Sequence, residues 1–200
     1  MEITAGLVKQ LRDQTGAGMM ECKAALKEAN GSIDDATTIL RKRGLAQATK
    51  KAGRSTNEGL IGSYIHMGGK IGVLVEVNCE SDFVARTEDF QNLAREIAMH
   101  IAAAAPQYVR REDIPAAILD RERDIYRGQM EGQKKPPAVI EKIVEGKLNS
   151  FYEQVCLLDQ PSIRDPKTTI GQTVQQAVAK MGENITIPRF VRYKLGETGA

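Results

Sequence analysis

Glu80, Asp82 and Glu88 place three carboxylates in one short stretch of this 200-residue chain, and carboxylates are what Mg²⁺ takes as ligands. Three acids around a loop are a weak metal signal. No histidine stands near Asp82, and the pair Glu80 and Asp82 has no visible general-acid partner. His66 and His100 lack a second nitrogen ligand at helical spacing, which argues against a histidine-based metal site. Cys22, Cys79 and Cys156 are odd in number and make no Cys-x-x-Cys, so they suggest neither a disulfide framework nor a zinc site and fit a reducing cytosol. Gly16-Ala17-Gly18 lacks the Gly-Lys-Ser/Thr ending of a phosphate loop and follows a helix rather than a strand. There is no Gly-x-Ser-x-Gly elbow. These negatives favour a binding protein over an enzyme, with no cofactor implied.

The acids belong to a strand-to-helix corner. Ile71, Val73, Val75 and Val77 alternate with Gly72, Leu74, Glu76 and Asn78, the period of a half-buried strand. The alternation stops at Cys79, Asp82-Phe83 sets an acid beside a ring, and Thr87 is a helix N-cap candidate. Two readings stand on the residues alone. Asp82 and Phe83 form a probe or site exposed to a partner, or Phe83 plugs the core while Asp82 serves the turn.

Ile3, Leu7 and Leu11 mark a first helix, broken at Thr15-Gly16-Ala17-Gly18. Met19, Cys22, Leu26 and Ala29 mark a second, which stops at Asn30-Gly31. A third begins after Ser32, carries Ile33, Ala36, Ile39 and Leu40, and is expected to end at Gly44. At most one of Met19 and Met20 fits squarely into so small a core. Whether the other packs partly inward or lies outside as an adaptable contact is open. Arg41 to Arg54 form a basic run without aromatics, read as a helix end and linker before a nucleic-acid contact.

A second composition opens at Gly59. Leu60 to Met67 and Ile71 to Cys79 predict a hairpin turning at Gly68-Gly69. Phe90, Leu93, Ala94, Ile97, Ala98 and Ile101 predict a strong helix, and Ile118 to Met130 another, ending near Gly132. Lys134-Lys135-Pro136-Pro137 reads as a hinge, followed by helices over 140–155 and 170–181. Ile185 to Leu195 returns as a strand, in which Pro188 demands an edge position or a bulge. The class is α+β: N-terminal helices in 1–44, a basic linker in 45–58, and a core in 59–200 with a small antiparallel sheet covered by helices. A net charge of +2 disfavours a general polyanion binder, and 4% aromatic content disfavours base-stacking surfaces. With no charged leader and no apolar run near bilayer length, the expectation is a soluble, cytoplasmic protein.

Three motifs then resemble one family. Leu11-Arg12 with Thr15-Gly16-Ala17-Gly18-Met19-Met20-Glu21-Cys22-Lys23-Ala24-Ala25-Leu26 is similar to the N-terminal signature of bacterial translation elongation factor Ts. Glu76-Val77-Asn78-Cys79-Glu80-Ser81-Asp82-Phe83-Val84-Ala85 resembles its second signature, with Ser81 where Thr is usual. Gly182-Glu183-Asn184-Ile185 resembles its C-terminal turn. The motifs keep the family's order, and the length resembles the short, single-core members. The resemblance implies guanine-nucleotide exchange on elongation factor Tu, taken in its GDP-bound and nucleotide-free states. It implies a ubiquitin-associated-like three-helix domain that meets the GTPase domain through Arg12, Met19, Met20 and Lys23. Ser81, Asp82, Phe83 and Val84 match the exchange motif, in which the Asp82-Phe83 pair intrudes near the Mg²⁺ site. His66 resembles an additional contact of longer members. A homodimer is also implied. Val191 stands near the position where some short members carry a cysteine for an intersubunit disulfide, so a non-covalent pair would rest on apolar surface in the last strand and helices.

Overall fold

In the computed structural model, residues 3–132 and 135–197 are described. The chain forms two compact units. One comprises Met1–Ile61, Val77–Leu93 and Thr173–Thr186; the other comprises Gly62–Glu76, Ala94–Gln172 and Ile187–Ala200.

The first unit opens with α1 (Ala5–Thr15), α2 (Met19–Glu28) and α3 (Ile33–Lys51). Thr4 caps α1 by accepting the Leu7 N–H at 3.3 Å, and Gly16 closes it with φ +67 and its N–H on the Arg12 carbonyl. Ser32 caps α3 through the Asp35 N–H at 3.3 Å. Val8, Leu11, Cys22, Ala25, Leu26, Ala29 and Ala36 form the core of the three helices, with Ile33, Ile39 and Leu40 packed on it.

The expected helix end at Gly44 is corrected: α3 continues to Lys51. Gly44 is a contact residue there and not a stop. A Cβ added to it would lie 3.0 Å from the Ala179 Cβ of α8 (Ile170–Met181), so the missing side chain lets the helices approach closely. Leu45, Ala46, Gln47 and Ala48 are good helix formers, and Ala48 is buried. Lys50 and Lys51 then suit the negative end of the helix dipole.

The sheet has the order β1 (Glu58–Ile65), β2 (Ile71–Cys79), β3 (Phe190–Lys194). β2 pairs antiparallel with β3, Leu74 opposite Val191 and Val75 opposite Phe190. As the alternation predicts, Val73, Val75 and Val77 are buried while Leu74 is half exposed. Gly68 and Gly69 both adopt positive φ at the hairpin tip. α5 (Glu88–Ala104) crosses β1 at Gly62, where a Cβ would meet the Ala94 carbonyl oxygen at 3.1 Å. Its inward face is Phe90, Leu93, Ala94, Ile97, Ala98 and Ile101, all buried.

β3 lies at the sheet edge, and beyond it Asn78 bridges Thr186. From Val75 to Asn78 the register advances one residue less than from Phe190 to Thr186, a bulge that accommodates Pro188. α4 (Asp82–Ala85) is a single turn absent from the sequence reading. α6 (Ala116–Gly128) packs on α7 (Pro137–Val155) and ends at Gly128, short of the expected Gly132. Lys134 of the expected hinge lies outside the described residues.

His100 is 1% exposed, and its Nε2 is 2.9 Å from the Gln160 Oε1. The Gln160 amide donates to the Gln154 and Ala104 carbonyls, so its oxygen faces the ring and His100 donates from Nε2. That leaves Nδ1 buried, with no partner among the described residues. Burial pushes the His100 pKa below its usual 6.5, opposed by the Gln160 hydrogen bond and the charge of Glu96. The unfolded chain therefore takes up this proton before the folded one, and stability falls as pH drops below the unfolded value. The slope is at most about 1.4 kcal/mol per pH unit for one group. Urea midpoints at neutral pH and near pH 5.5 should differ in the wild type, and by less in His100→Gln.

Candidate functional site

The corner begins where Cys79 closes β2 and its thiol donates to the Ser81 carbonyl at 3.1 Å. Ser81 has extended backbone and caps α4, its Oγ accepting the Val84 N–H at 3.4 Å. Thr87 accepts the Phe90 N–H at 3.3 Å, the predicted cap of α5, and donates to the Val84 carbonyl at 2.7 Å. Between these caps α4 has one turn in which to divide its side chains. Val84 and Ala85 go inward, and Phe83 is left 77% exposed. The core-plug reading of Phe83 is thereby overturned: Val84 is the apolar anchor. Asp82 accepts from Arg86 at 2.7 Å across one helical turn, and both side chains are exposed.

The three acids do not assemble. Glu80 turns toward the Asn184 N–H at 2.6 Å and Arg54 at 3.5 Å, while Asp82 is held by Arg86. Among the described residues no group of three or more His, Cys, Asp or Glu is placed to hold a metal ion. The three cysteines are buried, and burial raises the thiol of Cys79 and pushes that of Cys156 up to about 11.

The corner is held from behind by Gly182-Glu183-Asn184. Glu183 accepts the Glu80 N–H at 3.1 Å, the Ser81 N–H at 3.0 Å and the Ser81 hydroxyl at 2.5 Å. Asn184, 4% exposed, donates its side-chain amide to the Arg54 carbonyl at 2.8 Å and the Ala52 carbonyl at 3.4 Å. Reading the residues without the resemblance missed this pair. The only local signal is a short polar run just after an amphipathic helix.

Arg12 lies on α1, and Met19, Met20 and Lys23 lie on α2. All four are exposed; Met19 and Met20 are 46% and 76% accessible, so neither methionine serves the three-helix core. His66 belongs to the other compact unit and is exposed, its Nδ1 3.1 Å from the Tyr64 hydroxyl. The basic run is partly engaged: Arg43 pairs with Glu28, Lys51 donates to the Gly182 carbonyl at 2.7 Å, and Arg54 meets Glu80. Among the described residues no helix is long and apolar enough to cross a membrane.

The α+β scaffold thus leaves the Phe83 ring in solvent on a turn whose leading backbone is tied from behind. Residues 5–197 match the family Elongation factor TS. Elongation factor Ts of Fervidobacterium nodosum is 59% identical over 197 residues, covering 98% of this chain and 100% of the relative. That of Solibacter usitatus is 56% identical over 196 residues, covering 98% and 92%. That of Thermosipho melanesiensis is 56% identical over 195 residues, covering 98% and 100%. The chain belongs to the elongation factor Ts family, in its short, single-core form. The family's general function is guanine-nucleotide exchange on elongation factor Tu, performed by binding and without covalent chemistry.

Proposed function

We propose that this protein binds GDP-bound elongation factor Tu, disturbs its Mg²⁺ site with the Ser81–Val84 corner, and keeps the nucleotide-free state until GTP enters. The observation that carries this reading is Phe83, 77% exposed on a turn fixed from behind. Mg²⁺ in a nucleotide site uses few protein ligands and near-ideal octahedral geometry, so a small shift of a supporting element releases it. Burying the ring in the partner contributes roughly 1.5–3 kcal/mol toward that distortion. Asp82 exchanges Arg86 for a group of the displaced loop, at small cost because the exposed ion pair is weak. Coupling is reciprocal: a protein that loosens the nucleotide is itself loosened by nucleotide, which lets it leave when GTP arrives.

In this reading residues 1–44 form the ubiquitin-associated-like module that docks on the GTPase domain. Arg12 and Lys23 supply charge there, and Met19 and Met20 supply adaptable apolar contact. The link to the core of 59–200 runs through residues 45–58, of which 45–51 continue α3, and His66 adds a further contact. Release of a fluorescent GDP from elongation factor Tu should accelerate when this protein is added. Release that is unchanged at saturating protein overturns the proposal.

A homodimer is the proposed assembly. On the sheet face opposite Val73 and Val75, Leu74 lies beside Val191 and Gly72 beside Tyr193, and a Cβ on Gly72 would touch Ile65. Ile65, Leu74 and Tyr193 are 67%, 49% and 71% exposed, an apolar sheet face that a second copy can cover. Light scattering at micromolar concentration should give a dimer mass, and Val191→Asp with Tyr193→Asp a monomer. A monomeric wild type overturns it.

A further inference from the structure

The Gly182–Thr186 turn grips the chain on either side of β1 and β2. Its Glu183 carboxylate takes three hydrogen bonds from Glu80 and Ser81, and Glu80 returns one by accepting the Asn184 N–H. The Asn184 side chain and the Gly182 carbonyl reach the end of α3, through the Ala52 and Arg54 carbonyls and the Lys51 ammonium. Thr186 adds a hydroxyl contact to Thr56 at 2.8 Å and backbone bonds to Asn78.

We infer that Glu183 and Asn184 are positioning residues for nucleotide exchange: they hold the Ser81–Val84 turn so that Phe83 meets the partner in one fixed orientation. The inference rests on the proposed role of Phe83. A four-residue helix cannot hold its own shape, because nucleating a turn is unfavourable and its first amides lack intrahelical partners. Glu183 supplies what the turn lacks. Its oxygens satisfy the two N–H groups that lead into α4 and orient the Ser81 hydroxyl, which in turn caps Val84. Hydrogen bonds to a carboxylate are among the stronger kind. A ring that must displace a packed element needs backing stiff to a fraction of an ångström; otherwise the corner yields instead of the partner. Serine at position 81 keeps the hydroxyl through which this tie runs.

Titrating elongation factor Tu loaded with fluorescent GDP separates the maximal release rate from the half-saturating concentration. Glu183→Gln keeps the side-chain shape but removes the charge and, with its amide oxygen on the Glu80 and Ser81 N–H groups, sets an NH2 where an oxygen accepted the Ser81 hydroxyl. It should lower the maximal rate roughly 10-fold and leave half-saturation within roughly 2-fold. In the double variant Phe83→Ala/Glu183→Gln, release should be no slower than in Phe83→Ala alone, because Glu183 acts through the ring. Ser81→Ala cuts the same tie and carries the test should Glu183→Gln fold poorly. A residue with a merely structural role slows release whether or not Phe83 is present, so additive losses overturn the inference. A slow Phe83→Ala beside an unimpaired Glu183→Gln overturns the positioning role alone. A Phe83→Ala protein as fast as wild type overturns the wedge, and the positioning role with it.

Discussion

Phe83→Ala should lower the maximal rate of GDP release roughly 10- to 100-fold while leaving the urea midpoint of the protein where it was. The two halves of that expectation have different sources. Stability is spared because the ring is 77% exposed and Val84, not Phe83, anchors α4 in the core. Substitutions at surface positions of this kind usually stay within about 0.5 kcal/mol. Exchange is lost because the ring finds its burial only in the complex. About 1.5–3 kcal/mol of apolar burial, at about 1.4 kcal/mol per decade of rate, gives the stated range. Half-saturation should move less than the maximal rate, since the proposed docking residues Arg12, Met19, Met20 and Lys23 are untouched. Leucine at position 83 should restore part of the rate, because the wedge depends on apolar bulk. A Phe83→Ala protein that catalyses release normally, with unchanged stability, would remove the corner from the mechanism.

The parts of the fold legible in the sequence are those whose signal is local and periodic. β2 was readable because β-branched residues alternate along it, and Val73, Val75 and Val77 are the buried set. α5 was readable because Phe90, Leu93, Ala94, Ile97, Ala98 and Ile101 recur at three and four. The end of α3 is not legible at Gly44, since a glycine that stops a helix and one that admits a neighbouring helix look alike without Ala179 in view.

The corner resisted for a different reason. α4 is too short to carry a period, so the residues alone cannot assign Val84 to the core and Phe83 to solvent. The clamp from Glu183 and Asn184 joins segments remote in sequence, where spacing holds no information. The family signatures pointed to both places without explaining either. The geometry supplies a physical reason for the motifs to occur together: one carries the ring and the other holds it.

The largest stability loss from a single methyl group is expected at Gly59, the second residue of β1. Its φ is +146, a region side chains rarely enter, and an added Cβ would lie 2.2 Å from the Val77 carbonyl oxygen and 2.7 Å from the Asn78 Cα. Neither obstacle can move aside, because both are backbone of the strand that leads into the corner. Strain at such a dihedral costs about 1–3 kcal/mol, and forcing packed elements apart adds about 1–3 kcal/mol. Gly59→Ala should therefore lose about 2–6 kcal/mol, a large share of the roughly 5–15 kcal/mol that holds a typical domain. At about 1–3 kcal/mol per molar urea, the unfolding midpoint should fall by about 0.7 M or more.

Gly68→Ala is the control. Gly68 also has positive φ, +86, but no heavy atom within 4 Å of its added Cβ, so only the conformational cost of about 1–2 kcal/mol applies. The gap between the two variants reads the clash at Gly59 together with the difference in dihedral cost between φ +146 and φ +86. Equal midpoints for Gly59→Ala and Gly68→Ala would mean that β1 does not run against the Val77 backbone, and the support beneath the corner would have to be redrawn.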